Sequence, residues 1–311
     1  MIVVTGGAGF IGSNLIKELN NQGFNNILIV DDLTDGAKHK NMNRLNFFDY
    51  VDYKDFLPNI DRFGVKMIFH QGACSDTTER NGRYMMQTNY EYSKELLTFC
   101  INKRVRMFYA SSASVYGDGK NGFRESPECE YPLNMYAFSK YQFDRFVELN
   151  ERHLSAQLVG LRYFNVYGPQ ENHKGKMASV AFHAYNQVKN GGRISLFEGS
   201  ENFRRDFIHV DDVVKVNIFF LDNPDLIGVY NCGSGKAESF TAVAEAVKTV
   251  YNHAKIETIP FPEELTGKYQ TFTQADLTKL RRDGYNEDFM DVGAGVKKYV
   301  KILSESGGYL T

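Results

Sequence analysis

Two textures of apolar and polar residues alternate along the first half of the chain. Short apolar runs, many of them β-branched and bounded by glycine or polar residues, occur at Met1 to Thr5, Asn26 to Val30, Lys66 to His70, Val105 to Ala110 and Gln157 to Tyr163. Each has the length and composition of a buried strand. Between them lie longer stretches with apolar residues at every third or fourth position. The stretch from Phe10 sets Ile11, Leu15, Ile16 and Leu19 on one side, and Asn89 to Asn102 and Ala137 to Leu149 repeat the pattern with leucines and aromatics. These predict helices. Strands that alternate with helices predict an α/β fold, a parallel sheet with helices on both faces.

The first strand runs directly into Gly6-Gly7-Ala8-Gly9-Phe10-Ile11-Gly12. A dinucleotide pyrophosphate needs a tight turn, backbone without a side chain in its way, and a helix packed close to the strand. Gly7, Gly9 and Gly12 meet those demands at G-x-G-x-x-G spacing, while Gly6, Gly9 and Gly12 fit the looser G-x-x-G-x-x-G variant. The helix from Phe10 would turn its N-terminal NH groups and dipole toward the phosphates. The fold class predicted is therefore a Rossmann doubly wound parallel sheet. After Asn165-Val166-Tyr167-Gly168-Pro169 the texture changes, with lysine, glycine and histidine crowded into Glu171 to Lys176. Residues 1–168 are read as the dinucleotide-binding domain and 169–311 as a smaller α/β substrate-binding domain, with the strand and helix of about 206–221 returning to the first.

Composition narrows the partners. Lysine plus arginine (36) nearly cancel aspartate plus glutamate (38), which points away from nucleic acid and acidic membrane surfaces and toward a small ligand. Met1 leads straight into a strand, with no signal-like segment and no run of eighteen apolar residues, so the expectation is a cytoplasmic protein outside the membrane. Cys74, Cys100, Cys129 and Cys232 form no C-x-x-C pair and read as reduced thiols. Neither His183 nor His209 has a partner at metal-ligand spacing, so no metal is expected.

Tyr136 and Lys140 stand four residues apart at the start of a predicted helix and project from one face. An ammonium beside a phenol favours phenolate and is expected to lower the Tyr136 pKa toward neutrality. Ser112, on the loop after a core strand and 24 residues before Tyr136, reaches the mouth of the same sheet. Together these groups can polarise an alcohol or ketone and move its proton. Ser114 is a second hydroxyl that spacing alone does not exclude.

The glycine loop, the run Tyr109 to Gly117, Tyr136 with Lys140, Arg162 to Pro169 and Arg205 to Val213 resemble the extended short-chain dehydrogenase/reductases that act on nucleotide sugars. Within that family, Gln71 to Ser75, His173 to Gly175, Met177 to His183, Phe197 to Phe203 and Tyr269 to Leu277 are similar to the branch that epimerises ADP-linked heptoses at C6. The resemblance implies Tyr136 as one acid/base and Lys174 as the other, Lys140 tuning Tyr136, and Ser112, in preference to Ser114, on the sugar oxygen. Inverting an alcohol carbon without net oxidation takes hydride from one face and returns it to the other, for which two proton-transfer groups are easier to arrange than one. It implies cofactor contacts from Gly6, Gly7, Gly9, Phe10, Ile11, Gly12, Asp31, Asp32, Lys38, Gln71, Gly72, Ala73, Cys74, Ser75, Thr88, Asn89, Lys140, Val166 and Lys174. Substrate contacts fall to Ser112, Asn165, Lys176, His183, Phe197, Glu198, Gly199, Ser200, Arg205 and Tyr269, with Arg205 suited to diphosphate oxygens. Lys176 stands where the family pattern has serine, which would exchange a neutral hydrogen bond for a phosphate charge pair. His209, inside an apolar strand, reads as structural.

Asp31 and Asp32 end the second strand, where a carboxylate accepts the ribose hydroxyls of NAD and repels a 2′-phosphate. The resemblance implies NADP instead, with Lys38 facing that phosphate, although Asp32 and Tyr53 stand where asparagine and lysine are expected. NADP is taken as the cofactor and NAD as the alternative, retained through turnover because the abstracted hydride must return. The same resemblance suggests an ADP-heptose substrate and a homo-oligomer, a pentamer being one form. Competing readings are a UDP-hexose 4-epimerase, a 4,6-dehydratase, for which the acidic pair expected after the serine is replaced by Ala113-Ser114, and a non-catalytic redox sensor that binds NADP.

Overall fold

The computed structural model describes residues 1–261 and 270–310. The predicted strands appear as β1 (Ile2–Thr5), β2 (Ile27–Asp31), β4 (Met67–His70), β5 (Arg106–Ser112) and β6 (Leu158–Tyr163). Two further strands complete their sheet: β3 (Asp49–Asp52) and β10 (Gly228–Cys232). The order is β10-β6-β5-β4-β1-β2-β3, parallel throughout. Strand order reverses between β1 and β4, so a crevice opens at their carboxyl ends, which is where such sheets bind ligands.

Period-2 alternation sorts the strand residues onto two faces. Val4, Ile27, Ile29, Phe69, Phe108, Val159 and Leu161 face a layer holding Leu15, Ile16 and Leu19 of helix Phe10–Asn21 and Val213, Val216 and Phe220 of helix Val210–Asp222. Val3, Leu28, Ile68, Met107 and Leu158 face the opposite layer, with Leu96 and Leu97 of helix Tyr92–Lys103 and Phe143 and Val147 of helix Met135–Asn150. Burial of each such side chain contributes about 1.5–3 kcal/mol.

A second core lies in the other half of the chain. Val188 of helix Val180–Gly191, Ile194 and Leu196 of β8 (Arg193–Phe197), Val247 of helix Phe240–Val250, and Tyr299 and Leu303 of helix Val292–Ser306 pack together. β8 pairs in parallel with β12 (Lys255–Ile259). Between the cores, β9 (Arg204–His209) pairs with β7 (Asn165–Tyr167) and β11 (Ala237–Ser239). The strand of the 206–221 segment therefore stays out of the large sheet, while its helix packs against the first core. Buried Asp206 fastens this crossing by accepting from the N–H groups of Ser234, Gly235 and Ala275 and the Ser234 hydroxyl. No helix among the described residues is long and apolar enough to cross a membrane.

Candidate active site

The glycine loop joins β1 to its helix at the strand-order reversal. Gly6 is the residue that takes the left-handed turn, with φ +67°, which selects the G-x-x-G-x-x-G set of the two that the spacing offered. A Cβ on Gly6 would stand 2.6 Å from the Gly72 nitrogen, and one on Gly12 would stand 2.2 Å from the Gly6 carbonyl oxygen. Gly7 lies behind the loop against Val4, Ile16 and Ile29. The working set is Gly6, Gly9 and Gly12, and the backbone cradle they leave open fits a pyrophosphate at the helix N-terminus.

A cavity of about 520 Å³ opens over this loop. It gathers Gly6, Gly9, Phe10, Ile11, Gly12, Asp31, Lys38, Gln71, Gly72, Ala73, Cys74, Ser75, Ser112, Tyr136, Lys140, Val166, Lys174 and Lys176, along with Asp76, Ala110, Ser111, Tyr163, Phe164, His173 and Met177, which sequence reasoning did not single out. Six of these seven lie inside motif runs already recognised and Asp76 directly follows one, so membership of those runs was the available signal. Asp32 and Thr88 line a smaller adjoining pocket with Tyr53, Tyr84 and Tyr92.

The floor of the crevice is a closed hydrogen-bond chain. Gly72 N–H donates to Thr5 Oγ1 (3.1 Å), Thr5 Oγ1 lies 2.6 Å from His70 Nδ1, and His70 Nε2 lies 2.7 Å from Ser93 Oγ, which donates to the Asn89 carbonyl. Since Thr5 must donate onward and Ser93 must accept, His70 is the neutral Nε2–H tautomer. Burial, assisted by the Lys140 charge, pushes its pKa to about 3. Asn89 lies in a π-turn, Gln87–Glu91. It accepts from the Cys74 N–H and donates to the Cys74 carbonyl, so it serves the cavity by fixing the Gln71–Ser75 loop.

Asp31 is wholly engaged. One oxygen accepts from the Ala8 N–H (2.8 Å), the other from the Asp32 N–H (2.7 Å) and the Lys38 ammonium (2.9 Å), and Lys38 also donates to the Asp32 carbonyl.

Ser112 closes β5 at the sheet mouth, on the strand end where a loop was expected. Its oxygen accepts from the N–H and hydroxyl of Ser114 (3.2 and 2.9 Å), which leaves its own proton free to point at the Tyr136 oxygen. Tyr136, on the first turn of helix Met135–Asn150, has its pKa raised by burial, with the Ser112 bond opposing. The expected lowering by Lys140 is absent. Lys140 is buried and donates to the Ala110 carbonyl (2.8 Å), and burial pushes its pKa to about 8 against the pull of Asp144. An ammonium spent on a backbone acceptor does little for a phenol one turn away.

Lys174 enters from another direction, on the turn Asn172–Met177. Its Nζ lies 5.1 Å from the centroid of the Phe10 ring and has no hydrogen-bonding partner among the described residues. Burial lowers its pKa and Glu171 opposes this. Lys176 sits exposed at the rim, donating to Thr78 Oγ1 (2.8 Å) and pairing with Asp76 (3.3 Å).

The remaining substrate candidates among the described residues lie outside this cavity. Asn165 is exposed on β7, 3.4 Å from Thr273 Oγ1, and His183 is half-buried beside the Phe182 ring. Phe197 packs on Phe261 where β8 runs into the Glu198-Gly199-Ser200 turn. Arg205 is buried and donates to Gln270 Oε1 (2.6 Å). Tyr269 lies outside the described residues. His209 is buried against Tyr167 and caps helix Val210–Asp222 by accepting from the Asp211 N–H.

Comparisons with known proteins give the family. A family model described as the NAD dependent epimerase/dehydratase family matches residues 2–233. The chain is 60% identical to an ADP-L-glycero-D-manno-heptose-6-epimerase of Brachyspira hyodysenteriae, over the whole of both chains. Its fold is similar to the Helicobacter pylori ADP-L-glycero-D-manno-heptose-6-epimerase, with a TM-score of 0.87, 30% identity and coverage of 98% of this chain and 96% of that one. A Thermus thermophilus UDP-glucose 4-epimerase solved with NAD gives a TM-score of 0.83 at 26% identity, covering 98% of this chain and 99% of that one. The chain belongs to the NAD dependent epimerase/dehydratase family, whose chemistry depends on a nicotinamide dinucleotide.

Proposed function

We propose that the protein interconverts ADP-D-glycero-D-manno-heptose and ADP-L-glycero-D-manno-heptose by epimerisation at C6, with a nicotinamide dinucleotide held through turnover. The observation that carries this reading is the 60% identity, end to end, with a heptose epimerase. When bound, the nicotinamide supplies a hydride acceptor that later returns the hydride. Proton transfer falls to the chain. Tyr136, whose pKa is raised, rests protonated and is suited to donate. Lys174, whose pKa is lowered, reaches the neutral amine more easily and is suited to accept. The two exchange roles in the reverse direction, and Ser112, its proton aimed by Ser114, turns from the Tyr136 oxygen to the sugar oxygen when substrate is bound.

NADP is the cofactor in this reading. A carboxylate that accepts three internal donors has less capacity for ribose hydroxyls and presents a partly compensated charge, so Asp31 would repel a 2′-phosphate less, and Lys38, paired with it, would be the cation to hold that phosphate. The test is to incubate the purified protein with ADP-D-glycero-D-manno-heptose and follow C6 by NMR. Conversion to the L-glycero epimer without net oxidation supports the reading. No conversion, with turnover of a UDP-hexose instead, overturns it. Mass spectrometry of the nucleotide released on denaturation should give NADP, and NAD alone would replace that assignment.

A further inference from the structure

The segment from Gln270 to Thr273 lies along β9, and its backbone fixes it there. The Arg204 N–H donates to the Thr271 carbonyl (2.9 Å), the Thr273 N–H donates to the Arg204 carbonyl (3.0 Å), and the Asp206 N–H donates to Thr273 Oγ1 (3.0 Å). Gln270 heads this segment and joins two other parts of the chain. Its Oε1 accepts from Arg205 Nη1 (2.6 Å), and its Nε2 donates to the Gly117 carbonyl (2.5 Å). Both partners demand the same amide orientation. A guanidinium only donates and a carbonyl only accepts, so a flipped amide would set donor against donor and acceptor against acceptor. Gly117 ends the turn Ala113–Tyr116 that Ser112 caps, its own N–H donating to the Ser114 carbonyl (3.1 Å). A Cβ on Gly117 would overlap the Tyr131 carbonyl oxygen, so close backbone packing holds the acceptor in place.

We infer that Gln270 is a positioning residue for the substrate's diphosphate: it aims the Arg205 guanidinium and ties it to the turn that Ser112 opens. The inference rests on reading the substrate as an ADP-linked sugar with Arg205 as its diphosphate contact. Arg205 is buried on β9, and so long a side chain must be held at its tip if its planar fork is to meet phosphate oxygens in register. An amide suits this task better than a carboxylate. It accepts from the guanidinium without placing a second anion where the diphosphate goes. Its other end reaches the turn that offers a hydroxyl to the sugar oxygen, so one side chain sets the separation between the grip on the diphosphate and the grip on the sugar. Those two groups are joined covalently in a nucleotide sugar, and a fixed separation therefore orients the sugar carbon over the cavity. Three residues on, the same segment reaches a second substrate candidate, Thr273 Oγ1 donating to Asn165 Oδ1 (3.4 Å).

The test is Gln270→Met in the full chain with its dinucleotide bound, since methionine keeps the length and removes both polar ends. Titration calorimetry with ADP should give an affinity about tenfold weaker than wild type, the lower end of what a hydrogen bond to a charged group contributes. KM for the ADP-heptose should rise in step while kcat stays within about threefold, because the bond is made in ground and transition states alike. Arg205→Met should weaken ADP binding at least as much, and adding Gln270→Met to it should cost little more, since nothing is left to aim. Additive losses overturn the inference, as does unchanged ADP affinity in a Gln270→Met variant that melts as wild type. If Gln270→Met fails to fold, Gln270→Glu decides: it keeps an acceptor for Arg205 but adds an anion, so ADP affinity should fall about tenfold or more, and unchanged affinity overturns the inference. Guanidinium NMR of labelled arginine without substrate, with the Arg205 signal identified by its loss in Arg205→Met, separates this claim from the functional reading. Exchange of the Arg205 guanidinium hydrogens should quicken by about tenfold in Gln270→Met, and unchanged exchange overturns the inference. Quickened exchange in a protein that does not turn over ADP-heptose would keep the pairing of Gln270 with Arg205 and remove the substrate reading instead.

Discussion

Lys140 and Lys174 face one cavity from settings that differ in kind. Lys140 rises from a long helix packed on the sheet. Its ammonium is tied to the Ala110 carbonyl, and Asp144 one turn on is engaged by Tyr109, Ser111 and the buried guanidinium of Arg162. Arg162 in turn pairs with buried Glu130. Lys174 stands on a short turn with its ammonium over an aromatic ring. A lysine locked at its tip can orient its neighbours and carry charge, but it cannot readily exchange a proton with a substrate. A lysine with a free tip can.

That contrast should appear first in rate. Tyr136→Phe removes the proton donor of the sheet side and should lower kcat by roughly two to four orders of magnitude, the usual contribution of general acid/base catalysis, with dinucleotide binding nearly unchanged. Steady-state kinetics beside a binding titration checks both parts, and an unaltered kcat would move the proton to another group. Stability separates the two lysines next. Asp144→Asn leaves Arg162 short of one buried partner and should cost about 3–5 kcal/mol in denaturant unfolding.

The buried state of Lys140 also has a pH signature. Its folded pKa of about 8 lies below the ordinary lysine value, so above pH 8 the unfolded chain binds more protons than the folded one. Wild-type stability should therefore gain on that of Lys140→Met between pH 8 and 10, by at most about 1.4 kcal/mol per pH unit. A constant difference across that range would mean that the ammonium is not desolvated. The smallest effect concerns Ser114. Without its hydroxyl, Ser112 loses one of the two donors that aim its proton, so Ser114→Ala should lower kcat about two- to tenfold, in line with the loss of one neutral hydrogen bond. Loss as large as that of Tyr136→Phe would make Ser114 the substrate hydroxyl.

The sheet side of this comparison was the more legible in sequence. Strand periodicity, a glycine loop and a helical Tyr136/Lys140 spacing are local patterns that backbone geometry enforces, and five strands of the large sheet follow from them. β3, with acidic residues at both ends of Asp49–Asp52, is too polar to read as a strand, and β10 re-enters the sheet long after the substrate half has begun. The choice of Gly6 over Gly7 for the turn depends on a contact with Gly72, which spacing does not contain. The direction of the Tyr136 shift depends on where the Lys140 ammonium ends, a property of burial and of the Ala110 carbonyl. The substrate side offered fewer signals: Gln270 gains its meaning from Arg205 and Gly117, 65 and 153 positions away.

The most direct test of the central claim, that protons are handled from two separate elements of one cavity, is Lys174→Met assayed with each epimer as substrate. The account expects kcat to fall by roughly two to four orders of magnitude in both directions, while ADP-heptose affinity changes little. Wild-type kcat in both directions would contradict it and leave Tyr136 as the sole acid/base.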